Sequence, residues 1–273
     1  MIPEIVADKG LVLLGCGKMG GAMLEGWLRD GFPPSSVWVI DPYPGARLHE
    51  LAKSGVNLNA GFPASAAIIL IAVKPQMMDE ALPEITESEN GSTVYLSIAA
   101  GTPIKKFQQV LGNKAAIVRA MPNTPAAIGM GITAVIGNAN VTDEMMQICQ
   151  SLLLAVGQVV ELESEQQMDA VTALSGSGPA YVFHLVETMA AAGQARGLPA
   201  ALALQLAKAT VAGAGLMVAK SDETPEQLRI NVTSPNGTTA AALAVLMDEN
   251  TGFPKIVDRA VLAAAKRSLA LGD

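Results

Sequence analysis

The chain has 273 residues, half of them apolar, a net charge of −7, and only two cysteines, Cys16 and Cys149. That charge argues against a surface built for nucleic acid or anionic lipid, and two cysteines are too few for a disulfide framework but suit a reducing cytosol. The apolar run 66–73 stops at Lys74 and Pro75, well short of the ~20 residues a bilayer span needs, and Glu4 and Asp8 stand where a signal peptide would carry positive charge. A cytoplasmic enzyme or ligand binder is expected, with no helix crossing a membrane.

The first half alternates short β-branched runs with helical spacing. Strands are predicted at 11–14, 37–40, 67–73, 93–98 and 115–118, then at 132–136 and 158–162 around a helix near 143–155. Such alternation predicts an α/β domain with a mostly parallel sheet covered by helices. Directly after the first strand, "LVLLGCGKMGGAM" sets Gly15, Gly17 and Gly20 in G-x-G-x-x-G spacing at the mouth of a helix. Gly15 permits a tight turn, Gly17 lets backbone approach a pyrophosphate, and Gly20 lets helix and strand pack closely, which predicts a Rossmann-like dinucleotide site. Asp41 closes the second strand, where a carboxylate accepts hydrogen bonds from ribose hydroxyls and repels a 2′-phosphate. That leans towards NADH. Arg47 lies near enough in sequence to bind such a phosphate, or is simply an exposed helix charge. "AVKPQ" and "AMPNTP" each follow a strand, so Lys74 and Asn123 either reach the ligand crevice or belong to ordinary strand-ending turns.

From Ser164 onward the chain reads as helical. Ser164 with Gln167, and Thr224 with Gln227, have capping-box spacing, while Gly197 and Pro199 divide one long pattern into helices near 179–196 and 199–219. A boundary follows, with a dinucleotide-binding domain at 1–163 and a helical domain at 164–273. Ala, Leu, Val and Met surround most of these helices, so they require cover on every side, and a second copy is expected to supply it.

Acid–base chemistry has few candidates. His49 lies in a charged helix, His184 sits among Phe183, Leu185 and Val186 as a core histidine would, and no metal-ligand spacing or nucleophile–base arrangement is present. Ketone reduction builds charge on oxygen and calls for a positioned acid, whereas a protonated cyclic imine loses its charge as hydride arrives and needs mainly binding and orientation. "SGSGPAYVF" at 175–183 and "SPNGTT" at 234–239 suit that task, because each opens a helix with hydroxyls and free-running backbone amides. They also read as plain turns between helices.

Taken together, "GCGKMGGAM", "AVKPQ", "SIAAG", "RAMPNTPA", "ALSGSGPAYVF" and "LRINVTSPNGTTAAAL" resemble the pyrroline-5-carboxylate reductase family, in order and over essentially the whole chain. The resemblance implies reduction of 1-pyrroline-5-carboxylate to L-proline by NADPH or NADH, the last step of proline biosynthesis. It also implies an all-α C-terminal domain that forms a homodimer, with larger assemblies of dimers. By the same resemblance the coenzyme residues are Gly15, Gly17, Lys18, Met19, Gly20, Lys74, Pro75, Ala99, Met121, Pro122 and Asn123. The substrate carboxylate falls to Ser234, Pro235, Asn236, Gly237 and Thr238, with Asp222 nearby. Thr239 takes the hydroxyl that bonds the ring nitrogen, and Ser175 and Ser177 line the hydride-transfer region. One departure from the family is Asn236, which replaces the usual first glycine of Ser-Pro-Gly-Gly; asparagine is the least costly non-glycine residue at positive φ. Other readings are a related imine reductase, a hydroxyacid dehydrogenase, or a dinucleotide-sensing protein without catalysis.

Overall fold

The computed structural model describes residues 2–85 and 93–272. It divides into two compact units, 1–176 with 265–273, and 177–264. In the first, chain order runs α1 (Glu4–Lys9), β1 (Leu11–Leu14), α2 (Lys18–Arg29), β2 (Val37–Ile40), α3 (Ala46–Lys53), β3 (Asn57–Leu58) and β4 (Ile68–Ile71). It continues through α4 (Met78–Ala81), β5 (Val94–Ser97), α5 (Ile104–Leu111), β6 (Ala116–Met121), β7 (Gly131–Gly137), α6 (Asp143–Leu154), β8 (Gly157–Glu161) and α7 (Met168–Val171). Every strand expected from the sequence is present. The two-residue β3 is additional, too short to leave a periodic signal.

The eight strands form one sheet in the order β3-β2-β1-β4-β5-β6-β7-β8. It is parallel through β6, β7 runs antiparallel to β6, and β8 runs parallel to β7. Strand order therefore reverses between β1 and β4, the switch point where ligands of open α/β sheets bind. Alternate residues of each central strand feed opposite faces, because side chains in a strand alternate in direction. Leu11, Leu13, Ile68, Leu70 and Val118 join the α2 and α6 side chains Met23, Leu24, Trp27, Cys149 and Leu152. On the other face Val12, Leu14, Ile69, Ile71 and Ile117 meet Met78, Phe107 and Leu111.

In the second unit, α8 (Gly178–Gln194), α9 (Ala200–Lys220), α10 (Pro225–Asn231) and α11 (Thr238–Leu246) precede α12 (Phe253–Gly272), whose end belongs to the first unit. At Ser164 both halves of the capping box form, whereas Thr224 accepts the Gln227 N–H but Gln227 Nε2 turns to Asn231 Oδ1. Small residues bring α8 and α9 together: a Cβ at Gly193 would lie 3.3 Å from Ala203 Cβ, and Ala190, Ala203 and Ala207 are their buried residues. Val182, Phe183, Leu204, Leu206, Met217 and Val218 are exposed in the single chain.

One expectation is corrected here. His184 is a surface residue, 73% exposed, with Nδ1 3.0 Å from Glu187 Oε2, because its helix face lacks cover within one chain. Among the described residues α9 is long and apolar enough to cross a membrane by length and composition. Gln205 and Lys208 interrupt its apolar residues, so no unbroken apolar run marks it in the sequence.

Trp27 Nε1 donates to the Leu152 carbonyl at 2.9 Å inside the first core, tying α2 to α6 across 125 residues. Trp27→Phe keeps most of the apolar packing but orphans that carbonyl; urea denaturation at fixed protein concentration is expected to show a loss of about 1–3 kcal/mol.

Candidate functional site

Loops leaving the carboxyl ends of the parallel strands β1, β2, β4, β5 and β6 share one edge of the sheet, and the coenzyme residues expected from the sequence lie on them. At the β1–α2 turn Gly15 has φ +82°, and a Cβ there would sit 2.9 Å from Val73 Cγ1. A Cβ on Gly20 would lie 2.8 Å from the Gly15 carbonyl oxygen, so this helix can approach its strand only with glycine at that point. Gly17 is different. Its Cβ would meet nothing within 4 Å, which leaves the side open for a phosphate to approach backbone.

Gly17 is also the N-cap of α2 and offers no side chain to the first amides; Gly21 N–H is the first to bond back, to Gly17 O at 2.8 Å. The N–H groups of Lys18, Met19 and Gly20 therefore lie ahead of the intrahelical ladder, at the positive end of the helix dipole. Beside them is a groove of about 340 Å³ lined by Cys16, Gly17, Lys18, Glu25, Arg47 and Leu48 among others. These features fit a pyrophosphate.

Asp41 stands at the end of β2, half-buried. Its Oδ2 accepts the Cys16 N–H at 2.8 Å and its Oδ1 the Tyr43 N–H at 2.8 Å, so the carboxylate is held against the glycine-rich loop. Arg47 donates to Glu25 at 2.7 Å and to Glu50 at 3.1 Å. Burial, and next the charge of Asp41, push the Cys16 thiol up to about 12.

Lys74 is exposed in the loop after β4, where its carbonyl accepts the Met77 N–H as Pro75 opens a 3₁₀ turn. Ala99 is buried after β5 and its N–H donates to Ser97 Oγ at 3.2 Å. After Met121 and Pro122 at the end of β6, Asn123 Oδ1 accepts the Ile132 N–H at 3.0 Å, and Asn123 Nδ2 reaches Ser175 Oγ at 3.4 Å. Residues 172–176 form a π-helical turn, a local widening frequent at functional sites, and a Cβ on Gly176 would lie 2.5 Å from Met121 Cε. Ser175 is thereby brought beside the β6 loop.

Sequence reasoning missed Arg119 and Glu165. Arg119 Nη1 lies 2.8 Å from Glu165 Oε1, with the guanidinium 7% exposed, and the same oxygen accepts the Ile104 N–H at 2.9 Å. A lone arginine inside the apolar strand "AIVRAM" was the available signal. Residues 164–176, grouped by sequence with the helices, pack in the sheet unit through this pair and through Ser268 Oγ, which donates to Asp169 Oδ1 at 2.7 Å.

In the second unit Ser177 is the N-cap of α8, and Asp222 is exposed between α9 and α10. Gly237 N–H closes a turn onto Ser234 O at 3.0 Å, with Pro235 second and Asn236 third at φ +59°, the residue types of a type II turn. Gly237 caps α11 without a side chain, and Ala241 N–H is the first to bond back to Gly237 O, at 3.1 Å. The amides of Thr238, Thr239 and Ala240 thus precede the ladder, and half-buried Thr239 is the second helical residue.

Residues 165–271 match the family model for pyrroline-5-carboxylate reductase dimerisation, and residues 10–101 match a model described as NADP oxidoreductase, coenzyme F420-dependent. The chain is 39% identical over 267 residues to a pyrroline-5-carboxylate reductase of Synechocystis, covering 96% of this chain and 98% of that one. It belongs to the pyrroline-5-carboxylate reductase family. A family member from Pseudomonas aeruginosa is 36% identical, with coverage of 96% of this chain and 97% of that one. Among solved members, the Coxiella burnetii reductase superposes with a TM-score of 0.88 at 31% identity, covering 97% of this chain and 99% of that one. The Plasmodium falciparum reductase, solved with NADP bound, gives 0.83 at 31% identity and covers 98% and 100%. The chain is thus a family member by sequence and by fold in both halves.

With its pKa near 12, Cys16 keeps its proton at neutral pH. Iodoacetamide at pH 8.5 is expected to label it slowly in the folded protein and rapidly after denaturation, as read by mass spectrometry. Between pH 9 and 12 the unfolded thiol loses a proton that the folded one keeps, so this group's contribution to stability falls as pH rises through that window.

Proposed function

We propose that this chain reduces 1-pyrroline-5-carboxylate to L-proline with NADPH or NADH, in the cytoplasm, as a homodimer built through its helical module. The observation that carries the reading is the Ser234–Gly237 turn leading into the uncapped start of α11, on a family member aligned across almost its full length. Three consecutive amides at a helix N-terminus suit a carboxylate, and the dipole adds to their attraction. Thr239 is the residue we assign to the ring nitrogen, with Ser175, Ser177 and Asp222 as further substrate contacts.

When bound, the reduced nicotinamide supplies a hydride. The substrate's C=N bond becomes a C–N bond as its carbon takes that hydride, and the nitrogen ends with one proton that an iminium already carries. The protein must therefore hold the carboxylate, orient the ring and keep water out, tasks that need no strong acid. The Thr239 hydroxyl donates to or accepts from the nitrogen as its charge changes. Dinucleotide phosphates fall to the amides at Gly17, Lys18, Met19 and Gly20, with Lys74, Pro75, Ala99, Met121, Pro122 and Asn123 on the neighbouring loops.

As family modules we keep limits of 1–163 and 164–273, supported by the dimerisation match over 165–271, although 164–176 and 265–273 pack with the sheet unit. That match spans α9, so we read the exposed apolar face of α9 as covered by a second copy rather than by lipid.

Purified protein should oxidise NADH or NADPH, followed at the nicotinamide absorbance, only when 1-pyrroline-5-carboxylate is added; coenzyme binding without such turnover would favour a sensing protein. Thr239→Val is expected to lower kcat/KM by about 10²-fold, with Thr239→Ser retaining most of it. Asn236→Gly should lower KM for the pyrroline while leaving kcat little changed, since it keeps the turn and removes a side chain beside the carboxylate site. Sedimentation analysis should give at least twice the monomer mass, and Leu206→Glu with Met217→Glu should shift the protein towards monomer.

A further inference from the structure

We propose that this chain is built to prefer NADH over NADPH, and that Asn59 is the positioning residue of that preference. The inference rests on the dinucleotide reading above and concerns only which ribose the site accepts. Asn59 follows β3 at φ +50°, one of two non-glycine residues at positive φ among the described residues. Its side chain brackets the Asp41 peptide: Oδ1 accepts the Asp41 N–H at 2.9 Å, and Nδ2 donates to the Asp41 carbonyl at 2.8 Å. Asn59 N–H meanwhile donates to Val39 O at 2.8 Å, so the residue is anchored to β2 itself. The end of β2 is thus clamped by an amide from the neighbouring strand, where the ladder alone would leave a frayed end.

The clamp fixes a carboxylate. Each oxygen of Asp41 takes one backbone N–H, from Cys16 or Tyr43. A carboxylate has about four acceptor positions, so room remains for two ribose hydroxyls. A 2′-phosphate at the same place would meet that negative charge at close range.

The cation that could offset it is occupied. Arg47, which lines the groove with Glu25, is held between Glu25 of α2 and Glu50 of α3. Lys18 also lines the groove, but as the first residue of α2 it stands where the pyrophosphate is expected. At 63% exposure the Arg47 pairs are weak individually, so they tilt the choice, while the clamped carboxylate makes it.

The test is calorimetric titration of the full-length protein with NADH and with NADPH, without pyrroline. The wild type is expected to bind NADH at least about tenfold more tightly, the discrimination of one lost charge-assisted hydrogen bond plus repulsion. Asn59→Gly removes the amide but tolerates the positive φ, and should cut the NADH/NADPH affinity ratio at least about threefold, with a single cooperative thermal transition above the titration temperature as the check on folding. Asp41→Ser should abolish the ratio. Glu25→Gln with Glu50→Gln, which frees Arg47, should shift it towards NADPH. Equal or tighter binding of NADPH by the wild type overturns the proposal and leaves the reductase reading intact. Equal loss of both coenzymes in Asn59→Gly overturns the role of Asn59. Failure of the folded wild type to bind either coenzyme overturns the proposal together with the dinucleotide reading beneath it.

Discussion

Backbone approaches backbone closely where α2 begins over β1, and much else in the sheet unit depends on it. With less than 3 Å between a Gly20 Cβ and the Gly15 carbonyl oxygen, any side chain there would lift the helix from its strand. Held down, α2 points its unladdered amides across the switch point between β1 and β4 and buries Met23, Leu24 and Trp27 against the sheet. The same contact therefore serves both the core and the placement of these amides. Because β1, β2, β4, β5 and β6 run parallel, their loops reach that edge together, which is why segments far apart in sequence contribute to one crevice.

The chemistry assigned to this chain asks little of titratable groups, and the structure places few where they could act. Among the described residues no cluster of three metal-ligating side chains exists, and His49 and His184 are both exposed. The unladdered helix amides of Lys18, Met19 and Gly20 and of Thr238, Thr239 and Ala240 carry partial positive charge without an ionisable group. The buried charge that does exist is paired. Arg119 pairs with Glu165, whose same oxygen also accepts the Ile104 N–H. Its effect is positional: it anchors the segment that carries the 172–176 turn to the strand that ends in Met121.

The helical unit follows a different rule. Its helices touch through alanine and glycine, which allows close approach but buries little area, so the large apolar side chains remain outside. An interface in a dimerisation module must come from such surface, and the same residues make α9 look like a membrane segment by composition alone.

The sequence by itself determined the alternation of strands and helices, the glycine-rich turn, the helical second half and its need for cover, because each is written in local periodicity, in caps, or in residue types with narrow backbone preferences. Asn236 at positive φ belongs to that class, since a Pro-Asn-Gly turn signals it directly. Tertiary structure alone decided what pairs with what. Arg119 with Glu165, Asn123 with Ser175, and Asn59 around Asp41 are separated by 46, 52 and 18 residues, and nothing local announces them. Hydrogen bonds across such distances depend on strand register and helix docking, so they exist only once the sheet has brought its ends together. The exposure of His184 was decided the same way: apolar neighbours in sequence imply burial only if some surface faces them, and within one chain none does.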